Sequence, residues 1–208
     1  MAKRSSDGPE RSGQRPYKQV ARAEAQQRTR DALLDAANEE FFKDGSTRAS
    51  LQTVAAKAGV TKQTALRHFG SKDGLIEAAI RRMSEIVRKE RAEAPIGDVP
   101  GAVRNLMVHY ERYGDLMVRL LGEGHWFYLV RKATDHGRHV HQEWVERTFE
   151  PQLQSLGDDQ ARKLRMAQLV AVCDVYVWKV LRRDMKLDVA QAETALTGLI
   201  EGLFAEER

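Results

Sequence analysis

Thr61-Lys62-Gln63-Thr64, with Arg67 one turn further on, place five hydrogen-bonding side chains within seven residues. Side chains of these types can read base edges and hold phosphates. Gln63 offers an acceptor and a donor together, the pair that meets adenine N6 and N7, and Lys62 can donate to guanine O6 and N7. Arg67 can reach a base or the backbone. Ser50, Thr64, His68 and Lys72 are types that contact phosphate oxygens, and Ser71 stands where the free N–H groups of a helix start can do the same. Each also has an ordinary role: Lys62 and Arg67 as solvated charges, Thr61 as a cap alone, His68 as packing beside Phe69.

Such side chains read DNA only if a helix presents them. Ser50 can cap a short helix in which Leu51, Val54, Ala55 and Ala58 form an apolar stripe. Gly59 follows, the residue most easily placed at positive φ in a tight turn. Val60 fills the corner, and Thr61 can cap a second helix running to about Phe69. The pattern reads as a helix-turn-helix whose second helix enters the major groove. A plain helical hairpin gives the same pattern, so the flanking sequence has to decide between them.

Upstream, residues 28–42 carry an apolar stripe of Leu33, Ala36, Ala37, Phe41 and Phe42, ended by Gly45. Downstream, Ser71 caps a helix from Asp73 to about Arg91, with Leu75, Ile76, Ala79, Ile80 and Met83 buried. Residues 1–27 hold almost no apolar side chain and predict a flexible basic arm, serving either to contact DNA or to solubilise. Residues 1–92 contain 19 Lys+Arg against 12 Asp+Glu, whereas residues 93–208 contain 15 against 18. The net +4 therefore conceals a basic N-terminal part that suits a polyanion. The lone cysteine, Cys173, excludes an intrachain disulfide. The chain shows neither a membrane-length apolar run nor a secretory signal, and a cytoplasmic location is expected.

Pro95, Gly97, Pro100 and Gly101 mark a boundary, giving an arm (1–27), a helix-turn-helix domain with connecting helix (28–92) and a second helical domain (93–208). The segments expected in the last are 102–113, 115–122, 125–134, 138–155, 160–184 and 189–205, with no sheet. Residues 164–181 are apolar on nearly every side, and 189–205 carry a wide apolar face. Together they predict a homodimer built as a four-helix bundle, with Val177, Leu181, Leu196, Leu199, Ile200 and Leu203 at its interface; the same pattern also fits two helices that simply pack inside one subunit.

Residues 28–80 resemble the TetR family of bacterial transcriptional regulators. The resemblance rests on Ala36-Ala37, Phe41 through Gly45, Ser50, Val54-Ala55, Ala58-Gly59-Val60-Thr61, Thr64, His68-Phe69, Ser71-Lys72 and Leu75. Where the family usually has Leu-Tyr, this chain has Ala65-Leu66. The family's tyrosine typically touches a phosphate, which Leu66 cannot do. Either that contact is missing or Arg67 and the arm replace it; Leu66 could also touch a thymine methyl.

The resemblance implies an all-α fold: an N-terminal three-helix helix-turn-helix domain followed by an α-helical ligand-binding and dimerisation domain. It also implies a repressor that binds a palindromic double-stranded operator as a dimer and is released by an unknown small-molecule effector. Candidate effector contacts are His109, Tyr110, Tyr113, Trp126, Phe127, Trp144, Asp174, Tyr176 and Trp178, aromatic or polar residues that can equally be plain core. Asp174, alone in a very apolar stretch, needs a partner, and an arginine across the dimer interface is the expected one. His125, His136, His139 and His141 lie close in sequence, but Gly137 interrupts them and no ligand spacing is strong, so no metal is assigned. No phosphate loop or nucleophile elbow is present; no catalytic residue and no cofactor is assigned. The alternative function is a DNA-binding protein without an effector, acting through a protein partner or in an architectural role.

Overall fold

A computed structural model of the chain describes residues 14–42, 49–123 and 128–205, and these are helical with no strand among them. The order is α1 (Gln14–Phe42), α2 (Leu51–Lys57), α3 (Lys62–Phe69), α4 (Lys72–Ala92), α5 (Val99–Glu123), α6 (Tyr128–Thr148), α7 (Glu150–Gln154), α8 (Asp159–Val172), α9 (Val175–Lys179) and α10 (Val189–Ala205). One core joins Leu33, Ala37 and Phe41 of α1 to Leu51, Val54 and Ala55 of α2, Ala65 of α3, and Leu75 and Ala79 of α4. A second joins Leu106, Met107 and Tyr110 of α5 to Trp144 and Val145 of α6, Leu169, Trp178, Leu196 and Ile200. Helix α4 connects them, its first turns in the head core and Arg91 of its last turn buried between α5 and α6.

The first helix starts at Gln14, well before the expected Arg28. Ala21, Ala23 and Ala25, with Gln, Arg and Glu between them, are strong helix formers even without a core beneath them. The Glu24–Arg28 pair at 3.8 Å adds a little. Gly45 and the arm up to residue 13 lie outside the described residues.

Two expected breaks do not occur, and two unexpected ones do: the expected 138–155 helix stops at Thr148 and resumes at Glu150, and a second break lies at Cys173–Asp174. Helix α5 runs straight through Gly114 and α6 through Gly137. Gly114 persists in α5 for a packing reason: a Cβ there would collide with the fully buried Trp178 ring. At Gly137, which is exposed, a Cβ would meet nothing within 4 Å. Alanine at the two glycines should therefore have opposite effects. Gly137→Ala should stabilise the chain by up to about 1 kcal/mol through helix propensity. Gly114→Ala gains the same propensity but forces a rigid ring aside, at about 1–3 kcal/mol, and should be net destabilising. Thermal melts of the two variants that shift the same way would contradict this packing.

The expected 160–184 helix breaks at Cys173–Asp174. Asp174 adopts an extended backbone (ψ 152°), and its carboxylate accepts the Tyr176 N–H at 2.9 Å, capping α9. The anticipated arginine across an interface is therefore replaced by a cap within the chain. Beyond Lys179 the chain makes a π-turn, Val180–Asp184. Arg182 clamps it to Glu111 at 2.7 Å and Arg183 to Asp115 at 2.9 Å, and these hydrogen bonds hold both carboxyls below their usual range.

The break also changes the apolar surface. Leu196 and Ile200 sit in the chain's own core, so they do not face outward as a bundle interface would require. Val177, Leu181 and Leu203 are half-buried against that core, and Leu199 is 50 % exposed.

Candidate nucleic-acid interface

Three hydroxyl caps build the reading head. Ser50 Oγ accepts the Thr53 N–H at 3.0 Å, Thr61 Oγ1 the Thr64 N–H at 3.1 Å, and Ser71 Oγ the Gly74 N–H at 3.0 Å. Each satisfies a donor that a helix start leaves open, at about 1 kcal/mol apiece. Gly59, at φ 70°, closes the turn, and the Val60 N–H returns to the Ala55 carbonyl at 2.9 Å. Gly70 ends α3 at φ 76°, a left-handed backbone that glycine adopts without steric cost. The start of α4 then packs so closely over the end of α3 that a Cβ at Gly74 would collide with the Phe69 carbonyl.

Ala65 is fully buried and fixes which side of α3 faces the core. The opposite side carries Gln63 and Arg67, and Lys62 stands at the first turn; all three are exposed and without a hydrogen bond or ion pair among the described residues. Gln63 and Arg67 stand four apart and share a face. Thr61 and Thr64 hydroxyls lie 3.0 Å apart at the helix start. Leu66 packs partly against the head core, so much of its side chain is already covered. His68 is half-buried beside Phe69. Lys72 Nζ lies 5.7 Å over the Phe41 ring, which brings α4 against α1.

Two anchors of this head lack a distinct sequence signal. The Arg30 guanidinium stacks 4.6 Å from the Phe69 ring centre, tying α1 to α3. Lys57 bridges Glu39 and Glu40, at 2.7 Å each, tying α2 to α1, and those hydrogen bonds raise its pKa.

The candidate effector residues separate into groups. His109, Tyr110, Trp144 and Trp178 are buried in the second core, and Tyr113 is half-buried beside His109. Tyr176 is exposed, and Trp126, Phe127 and His125 lie outside the described residues. Arg91 and His141 complete the buried group. Arg91 Nη2 lies 3.1 Å from His141 Nδ1 and its guanidinium 4.5 Å from the Trp144 ring centre. Arg91 looks unremarkable in the run Arg88-Lys89-Glu90-Arg91, which reads as a solvated helix end. The histidine cluster disperses: His136 contacts Arg88 and His139 pairs with Glu143, both exposed, while His141 is buried. Among the described residues no group of three or more His, Cys, Asp or Glu could hold a metal.

Residues 33–79 match the model of the bacterial regulatory proteins of the tetR family. The chain is 30 % identical over 95 residues to an HTH-type transcriptional repressor of Mycobacterium tuberculosis, 45 % of this chain and 47 % of that one. It is 32 % identical over 89 residues to the HTH-type transcriptional regulator TtgR of Pseudomonas putida, 41 % of this chain and 42 % of that one. Over its N-terminal domain the chain is similar to the TetR family. The match spans about half the length of these curated relatives. The fold is shared more widely: a transcriptional regulator from Rhodococcus superposes with a TM-score of 0.61 at 20 % identity, over 87 % of this chain and 96 % of that one. The TetR-type head is a DNA-binding helix-turn-helix, and neither relatives nor fold point to an enzyme. Among the described residues no helix is long and apolar enough to cross a membrane.

Proposed function

We propose that this chain is a homodimeric, sequence-specific transcriptional regulator, a repressor that a small molecule bound in the C-terminal domain releases from a palindromic operator in the cytoplasm. The observation that carries the reading is the outer face of α3. Gln63 and Arg67 on that face, and Lys62 at the first turn, stand exposed and unspent on a helix that Ala65 locks into the head core. A helix held this way can enter the major groove without rearranging. The names of the curated relatives, a repressor and a regulator, agree with it.

The dimer rests on a smaller surface than the sequence suggests. With Leu196 and Ile200 turned inward, the exposed apolar surface offered by α8 and α10 includes Leu164 and Ala167 of α8 and Val189, Leu199, Gly198 and Gly202 of α10. Two glycines with open space above them let a second helix approach closely.

Selection from random DNA tests the reading. The expected product is a palindrome whose half-sites lie about 34–36 Å apart or a multiple of that. Binding that depends on salt but not on sequence would overturn it. Leu199→Asp should yield a monomer in light scattering and lower operator affinity on the order of 100-fold, because two weakly bound heads no longer act together. A Leu199→Asp dimer would refute this interface.

A further inference from the structure

Arg91 is 5 % exposed, and guanidinium does not lose its charge in proteins. Among the described residues no carboxylate lies within ion-pair distance of it. Asp174, the acid whose field reaches it, spends its carboxylate capping α9. The partners Arg91 does have are neutral. Arg91 only donates, so His141 Nδ1 must accept, and His141 Nε2–H then donates to the Val170 carbonyl at 3.1 Å. This fixes His141 as the neutral Nε2–H tautomer. Tyr110 is equally uncharged: its hydroxyl donates to the Cys173 carbonyl at 2.8 Å, and burial pushes its pKa far up. Burial raises the Cys173 thiol to about 12, so it supplies no charge either. One positive charge therefore stands uncompensated in the second core, an arrangement that costs several kcal/mol.

The same place holds two orphaned polar groups. Arg91 Nε has no hydrogen-bond partner, and neither ring nitrogen of His109, 2 % exposed, has one. The His109 ring packs tilted against Tyr110 and Tyr113, at 5.4 and 5.3 Å between ring centres, and the Arg91 charge acts on it. A buried unpaired donor is costly, so one on the unpaired cation itself and one on the ring beside it call for an acceptor with negative charge.

We propose that this cluster is an anion site in which Arg91 and His109 hold the carboxylate of a small organic acid. The proposal rests on the reading of the C-terminal domain as effector-binding and names the chemical class of the effector. A monocarboxylate fits better than phosphate: one negative charge cancels one positive charge, two oxygens match the Arg91 Nε–H and one His109 N–H, and the surroundings are aromatic. The site also lies at the end of the helix that carries the head. The Arg91 carbonyl accepts Trp144 Nε1–H at 3.1 Å and Arg147 Nη2–H at 3.0 Å, and Asn105 Nδ2 donates to the Glu90 carbonyl at 2.8 Å. An anion drawing on the Arg91 guanidinium acts on the last turn of α4, whose first turns support α3.

The test is tryptophan fluorescence titration of the full chain without DNA, using acetate, hexanoate, benzoate and decanoate against their primary amides and inorganic phosphate. At least one carboxylate should bind, its amide at least about tenfold more weakly, and phosphate not at all. Arg91→Met, which removes the unpaired charge, should weaken that carboxylate about tenfold or more. Should this variant not fold, His109→Phe supplies the same comparison. Absence of carboxylate binding, equal binding of the amide, a preference for phosphate, or unchanged affinity in the variants would overturn the site. Because no DNA is present, a carboxylate that binds yet leaves the operator complex intact counts against the regulatory reading and not against the site.

Discussion

Lys62→Ala combined with Gln63→Ala is expected to lower affinity for the selected operator by a factor of about 10²–10⁴, while affinity for scrambled DNA changes little. The size follows from two base contacts at roughly 1–3 kcal/mol each. Lys62 also contributes one charge, so the slope of log affinity against log salt should fall by at most about one. The head should not be disturbed. Neither side chain makes a hydrogen bond or ion pair among the described residues, the Thr61 cap closes on the Thr64 backbone, and Ala65 fills the core contact. Competition titrations of selected against scrambled duplex, with circular dichroism of the double variant, separate these effects. A variant that still discriminates the two duplexes would remove α3's outer face from base recognition. Specificity would then have to come from Arg67 or the arm.

The head was legible because its chemistry is local. Ser50, Thr61 and Ser71 each cap a helix that begins one residue later, and Gly59 and Gly70 mark the turns by backbone geometry that acts within a few residues. The C-terminal half was less legible because its decisive contacts join distant parts of the chain. Gly114 reads as a break until Trp178, 64 positions along the chain, is seen over it. Asp174 reads as a buried carboxylate needing a distant partner, whereas it caps a helix that the uniform apolar pattern of 164–181 conceals. Leu196 and Ile200 show the limit of periodicity, which predicts that a face is buried without saying whether the covering surface belongs to the same chain. Arg91 is the extreme case. Its neighbours in sequence are charged, and only the packing of α5 and α6 around α4 removes it from water.

That same burial predicts marked acid sensitivity of the second core. Burial, and next the Arg91 charge, hold His109 down at about 3 and His141 at about 4. In the unfolded chain both return to about 6.5. The unfolded state therefore takes up protons first. The contribution of the neutral histidines is complete above about pH 6.5 and is lost as the pH falls from there toward 4, by about 1.4 kcal/mol per pH unit for each ring. At about pH 5 the pair should have lost about 4 kcal/mol, a large part of a typical domain's stability. The lowered carboxyls of Glu111 and Asp115 also weaken the fold in acid, but only below about pH 4.5 and from largely exposed positions where water screens them. Loss between about pH 6.5 and 5 thus belongs to the histidines. Urea midpoints at about pH 7 and 5 measure it. His109→Phe with His141→Gln should flatten the difference, since glutamine can accept from Arg91 and donate to Val170 without taking a proton. A wild-type chain equally stable at both pH values would mean that the two rings are not held neutral in the core. The tautomer assigned to His141, and with it the uncompensated charge on Arg91, would then fall as well.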